Sequence, residues 1–180
     1  MIDWLLHADM FTHAIAALLL LGRVGDIVST RLISPTLRLE TNLVVQRLGW
    51  RFAWLSVLVA LVPYYSLAIG IAGLAVSFLV SASNLSRGWM FRALGELEAD
   101  RFLLSVAAKS RLTTALGFVL SGALFVVVAG LVLIWLSRSP ETGSYWFGVG
   151  IVVYGIAIAI HGGGFVVRLF RRVQSGAPAV

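Results

Sequence analysis

Twelve of the fourteen basic residues in this 180-residue chain fall into three clusters separated by long apolar stretches. The clusters are Arg31, Arg38, Arg47 and Arg51; then Arg87, Arg92, Arg101, Lys109 and Arg111; then Arg168, Arg171 and Arg172. A soluble domain spreads charge over its whole surface. A chain that gathers it between uncharged stretches keeps those stretches in lipid and the clusters on one face of the membrane. With 59% apolar and only 12% charged residues, too little polar material remains to coat a soluble core. The sequence predicts an all-α, polytopic integral membrane protein, with residues 1–180 forming a single transmembrane helical bundle.

A hydrocarbon layer of about 30 Å takes about 20 helical residues. Five segments qualify, 11–33, 46–65, 67–86, 112–136 and 145–167, with 88–111 as a helical cytoplasmic connection lying along the membrane surface. Residues 52–85 carry no formal charge and could pass for one helix, but Pro63-Tyr64-Tyr65-Ser66 in their middle suits a tight interfacial turn. Charge decides between the two paths. Leaving aside the first span, five spans place twelve basic residues on one side and only Arg138 on the other, whereas four spans divide them eight to five. Basic loops stay in the cytoplasm, which predicts five transmembrane helices, N-out/C-in, multi-pass in the cell inner (cytoplasmic) membrane. Trp4, Trp135 and Trp146 then fall at outer ends, and Trp50, Trp54 and Trp89 at inner ends, the depths that indole rings prefer. Met1-Ile2-Asp3-Trp4 has no basic n-region and no convincing cleavage site, so no signal peptide is expected.

The net charge of +6 belongs to residues flanking apolar spans, not to an aromatic-interleaved patch. The expected partners are therefore the lipid bilayer and its anionic head groups at the cytoplasmic face, not nucleic acid. The chain has no cysteine, which excludes disulfides, thiol catalysis and thiolate metal sites.

Small residues mark candidate packing faces, because helices in lipid associate by close approach and not by hydrophobic drive. In the third span Gly70, Gly73, Ser77, Ser81 and Asn84 recur at steps of three or four, with Ala75 on the opposite side. The fourth offers Ala115, Gly122 and Ala129; the fifth has Gly148, Gly155, Ala159 and Gly162. Such faces predict a homo-oligomer or a place in a membrane complex.

Arg23 and Asp26 are unusual inside a span, since a charge near the bilayer centre costs roughly 2.5–3.5 kcal/mol on insertion scales. Gly22, Arg23, Asp26, Ser29, Thr30 and Ile33 share one side of that helix. One reading is an internal ion pair at (i, i+3) spacing. The other makes Asp26 a cation, proton or solute site, with the Ser29 and Thr30 hydroxyls alongside. Glu40 and Asn42 in the next loop, Asn84 late in span three and His161 in span five reach the same cytoplasmic level. The candidate ligand-binding set is therefore Asp26, Arg23, Ser29, Thr30, Glu40, Asn42, Asn84 and His161, with no catalytic residue and no metal ligand assigned.

Asp26-Ile-Val-Ser-Thr30, then Glu40-Thr-Asn42, a second span and Asn84 late in the third resemble a pattern in uncharacterised small multi-pass prokaryotic membrane proteins. Their first helix carries D-x-x-x-T and is followed by E-x-N-P. The resemblance covers residues 20 to 86; Leu43 stands where that pattern has proline, and span two has no lysine. It implies a shared site and no particular activity.

No cofactor is predicted. His161, with Ala157 four residues before it, is the one position where a tetrapyrrole could approach a helical ligand, against the alternative of a hydrogen-bonded interior histidine. Gly162-Gly163-Gly164 predicts a kink or a close crossing, and resembles the glycine kink of trimeric intracellular cation channels without their duplicated three-helix repeat. Gly95-Glu96-Leu-Glu98-Ala-Asp100-Arg101-Phe102 resembles the segment that supplies the third zinc ligand in membrane-embedded zinc metallopeptidases. The H-E-x-x-H those enzymes need is missing, and the acidic run reads as a solvated face. Retinal is excluded because the only lysine, Lys109, lies outside the spans. Three functions follow: a transport or channel-type protein with an inward-facing polar cluster around Asp26, an accessory or assembly subunit of a larger membrane complex, and an intramembrane enzyme acting on lipid head groups. The last is chemically poor, with one buried carboxylate and one histidine.

Overall fold

A computed structural model describes residues 8–175. All regular structure within them is helical, and five helices are long and apolar enough to cross a membrane. Trp4 and the first residues of the chain lie outside the described residues.

The first apolar helix, α1 (Met10–Ile33), starts at Asp9, whose carboxylate accepts the Thr12 amide at 2.7 Å. The second begins with α2 (Leu43–Leu55), capped by Asn42, whose side-chain oxygen accepts the Val44 amide at 3.0 Å. Gly49 breaks this helix at φ 74°, a conformation open to glycine and strained for other residues. A 3₁₀ stretch, Ser56–Leu61, follows, then the short α3 (Val62–Tyr65) with its proline in the first turn. The sixteen residues from Trp50 to Tyr65 would span only about 24 Å as pure α-helix. Six of them in the longer-rise 3₁₀ form bring the length to about 27 Å.

The third apolar helix, α4 (Leu67–Leu94), continues well past residue 86 and stops where Gly95 takes φ 77°. The connection is therefore the tail of α4 followed by α5 (Glu96–Lys109). The fourth is α6 (Leu112–Ser137), ended by Arg138 in the left-handed region at φ 57°. The fifth is one rod made of α7 (Gly143–Ala157), a π-helical turn at Ile158–Gly162 and α8 (Gly163–Gln174). The triple glycine thus begins inside a π turn, a common local answer to crowding within a helix.

The main contacts join the helices in a row, in the order second, first, third, fifth, fourth, and at the Pro63 end the second also closes against Gly70 of the third. The third is central and has two working faces. On one, Gly73 meets Leu19, Ser77 and Phe78 meet Gly22, and Ser81 meets Gly25. On the other, Ala72 and Ala75 press on Gly150, where an added Cβ would overlap the Ala72 carbonyl oxygen. Ala75, expected on the outward side, is fully buried. The reason is the row itself, which gives the central helix a neighbour on each flank.

The fourth and fifth helices meet through backbone. A Cβ on Gly130 would stand 2.8 Å from the Gly148 carbonyl oxygen, and one on Gly155 would stand 3.0 Å from that of Ala123. The working face of α6 is therefore Ala123, Val127 and Gly130. Gly122 has nothing within 4 Å, and Ala129 is exposed, so the face expected from Ala115, Gly122 and Ala129 is out by one residue, about 100° around the helix. Ala115 alone of the three meets the protein, packing near Ala107, Leu169 and Phe170.

The twelve clustered basic residues lie at one end of the row, and Arg138 at the other. At the Arg138 end His13 and the Tyr64 hydroxyl bond at 2.9 Å, tying the first helix to the second. At the basic end α5 folds back against α8.

Candidate functional site

The (i, i+3) spacing of Arg23 and Asp26 sets both side chains on one face of α1, and they form an ion pair at 3.1 Å with about four-fifths of each side chain covered. Arg23 uses its other terminal nitrogen to bond the Ser56 hydroxyl at 2.6 Å, where the 3₁₀ stretch starts. Its buried Nε has no partner among the described residues. The second Asp26 oxygen accepts from the Asn84 amide at 3.1 Å, and that same nitrogen donates to the Thr30 hydroxyl at 3.1 Å. One turn along, the Ser81 hydroxyl donates to the Gly22 carbonyl at 2.8 Å, an acceptor freed for this by the absence of a side chain at Gly22. A single polar network therefore ties the first helix to the second on one flank and to the third on the other. Each Asp26 oxygen is occupied from within the chain.

The remaining candidates sit around this network in different roles. Ser29 is buried, but its hydroxyl turns back to the Asp26 carbonyl at 2.9 Å and not to the carboxylate. Asn42 serves as the cap of α2. Glu40 accepts the Asn42 amide at 2.7 Å and feels the charge of Arg168. Burial raises the Glu40 carboxyl above its ordinary value, against the loop amides and hydroxyl of Asn42 and Thr41 and the positive charge of Arg168, which pull it down. Arg168 reaches the same loop through a bond to the Thr41 carbonyl at 3.1 Å. His161 lies in the π turn and makes no hydrogen bond within the described residues, so it stands apart from the network. His13 is at the opposite end, bonded to Tyr64. Among the described residues, no three His, Asp or Glu side chains group closely enough to hold a metal ion.

Two features of the basic end had no counterpart in the sequence reading. Asp100, taken there as part of a solvated acidic face, is 2% exposed and forms a two-pronged bond with Arg172, at 2.9 and 2.8 Å. Seventy-two residues separate the pair, a distance that helical periodicity does not reach. Glu96, in the same run, grips the loop after α1: it accepts the Ser34 hydroxyl, the Thr36 amide at 3.2 Å and the Arg38 amide at 3.0 Å. Desolvation works to raise the Glu96 carboxyl, but these donors outweigh it and hold the group below its ordinary value. The grip holds Leu37 in the left-handed region at φ 61° although its side chain is buried. That conformation costs a non-glycine residue about 1–2 kcal/mol. Of the three acids only Glu98 is exposed, in a pair with Arg101, while Glu96 is half-buried.

The chain matches no family model, no curated protein and no solved structure.

Proposed function

We propose that this chain is an accessory or assembly subunit of a larger membrane complex, inserted N-out/C-in in the inner membrane, with its basic end against anionic head groups of the cytoplasmic leaflet. The observation that supports this over the other readings is that both Asp26 oxygens already accept from within the chain. One accepts from Arg23 and the other from Asn84, so the carboxylate's charge is paired and the network works as a joint between three helices. A cation site needs uncompensated acceptors, and a private pathway needs helices arranged around a lumen. Helices joined mainly in a row do neither by themselves, but they offer two flanks to neighbours.

A transport or channel-type reading keeps one observation in its favour. The Glu40 charge reaches Asp26 from a different segment, and the Arg168 charge in turn acts on Glu40. In this reading the Arg23 pair opens to admit a cation, proton or polar solute at the Asp26 cluster.

Reconstitution separates the two. Proteoliposomes containing only this chain should show no cation- or proton-dependent flux above that of Asp26→Asn. Purification from native membranes in mild detergent should yield the chain with other subunits in fixed ratio. Flux by the isolated chain that Asp26→Asn abolishes would reverse the assignment. Orientation is read by single cysteines: those at Ser66 and Thr142 should label from outside, and those at Ser110 and Gln174 only from inside. Labelling of Ser66 and Ser110 from the same side would remove the topology.

A further inference from the structure

At the basic end, Thr36, Leu37, Arg38, Gln46 and Arg172 line a wide-open surface cavity of about 380 Å³ between the loop after α1, the start of α2 and the end of α8. Two acids support its walls. Asp100 holds Arg172 through both oxygens, and Glu96 holds the loop by the Ser34 hydroxyl and the Thr36 and Arg38 amides. No carboxylate lines the cavity. The Arg38 guanidinium and the Gln46 amide have no hydrogen-bond partner among the described residues, although the backbone beneath Arg38 is fixed. Arg172 uses one N–H from each terminal nitrogen on Asp100 and keeps further donors, its planar fork already oriented. The loop holds the strained Leu37 conformation beside these groups, as loops do when their shape is fixed for a ligand. The unpaired Arg38 guanidinium, the Gln46 amide and the donors that Arg172 keeps beyond its Asp100 pair, at the level where apolar helices end, form an anion cradle of the kind that takes lipid phosphates between helices.

We propose that this cavity binds a phosphate-bearing anion through Arg38, Gln46 and Arg172. This deepens the membrane assignment above, on which it rests, by giving the anionic head group a defined seat. The shared chemistry is a phosphate monoanion or dianion, carried either by a lipid head group or by a soluble phosphate.

The test uses the purified full-length chain in nanodiscs. Phosphatidylglycerol mixed into phosphatidylcholine should raise the thermal unfolding midpoint of the wild type. The Arg38→Gln/Gln46→Leu double variant should need about tenfold more phosphatidylglycerol for the same shift, the scale of losing a charge-assisted hydrogen bond. Arg87→Gln, which removes an exposed charge at the same end, should keep the wild-type response. Arg38 and Gln46 have no side-chain partners to lose, and the single variants Arg38→Gln and Gln46→Leu, each expected to show part of the loss, guard against a folding defect in the double one. Inorganic phosphate titrated into pure phosphatidylcholine discs identifies the source: stabilisation lost in the double variant assigns a soluble phosphate, and no stabilisation assigns the lipid. An unchanged phosphatidylglycerol response in the double variant, or an equal loss in Arg87→Gln, would overturn the site. Alkaline extraction of membranes from the same cells reports insertion separately, so failure of the membrane assignment is distinguishable from failure of the cradle.

Discussion

The two sides of the row are joined by different physics. On the side of the first three helices, side chains do the joining: Arg23, Asp26, Thr30, Asn84, Ser56 and Ser81 bridge helices through named atoms. On the side of the fifth and fourth, a Ser137–Ser144 hydroxyl bond at 2.9 Å closes only the Arg138 end, and along the contact Gly130, Gly148, Gly150 and Gly155 bring backbones together. Interhelical hydrogen bonds in membranes average only about 0.6 kcal/mol, because the separated helices also find partners for their polar groups. Steric exclusion admits no such compensation. The polar side should therefore tolerate loss of single hydrogen bonds but not of single charges, and the glycine side should tolerate almost any loss but no gain in volume.

The largest effect expected is on the glycine side. Gly150→Leu places a branched side chain against the Ala72 backbone and should cost about 3 kcal/mol or more, since neither helix backbone can yield without the row opening. Gly122→Leu, with open space around it, should change stability by less than about 0.5 kcal/mol. Reversible unfolding in mixed micelles measures both. Equal losses would mean that the fourth helix turns its other face to the fifth.

Next comes the charge on the polar side. Asp26→Asn leaves Arg23 with an unopposed positive charge, and the loss should be about 2 kcal/mol, below the 3–5 kcal/mol of a fully buried pair because both side chains keep some exposure. Adding Arg23→Gln should restore most of it, as two neutral groups can still hydrogen-bond. A double variant no more stable than Asp26→Asn would show that the pair is not what makes Asp26 matter to the fold.

How much of this was readable in the sequence depended on whether polarity marked the helix face. In α1 and α4, Arg23, Asp26, Ser77, Ser81 and Asn84 set the helical phase, and the structure joins the residues that shared a stripe. The fourth helix is apolar all round, so only small residues could set its phase, and Ala115-Gly122-Ala129 and Ala123-Gly130 are equally good heptads on paper. Packing chose the second. Ala75 misled for a related reason: a helix with two buried faces has no outward side opposite its polar stripe. Ser56 carried no signal at all, since its role depends on which helix lies beside Arg23. The Asp100–Arg172 clamp and the Glu96 grip join segments far apart in the chain, and their acidic run has the composition of a solvated face.

The clamp allows a comparison in a third place, outside the apolar layer. Asp100→Asn should cost about 1.5–3 kcal/mol, the range for hydrogen bonds to a charged group, by loosening α5 from α8. The loss should be visible as faster proteolysis within 96–111 before any change in global unfolding. Global unfolding at the same protease dose would show that α5 is integral to the row.

The smallest effect is a pair of opposed pH dependences. Glu96 titrates below its ordinary value of 4.5 when folded, so the folded chain holds fewer protons than the unfolded chain between those two pH values. Its contribution is complete above about pH 4.5 and disappears as pH falls through the folded value. Glu40 titrates above 4.5, so the folded chain holds the proton more tightly. Stability from this group falls as pH rises from about 4.5 to the folded value, and the cost of the buried charge is complete beyond it. Thermal midpoints collected from about pH 3 to pH 7 should therefore lose part of their acid-side slope in Glu96→Gln. Glu40→Gln should lose the opposite slope and gain slightly near neutrality. Matching profiles for the two variants would mean that Glu40 and the loop that Glu96 grips respond to protons as one unit, and that Arg168, which reaches the Thr41 carbonyl, and Arg172, beside the gripped loop, are coupled through α8.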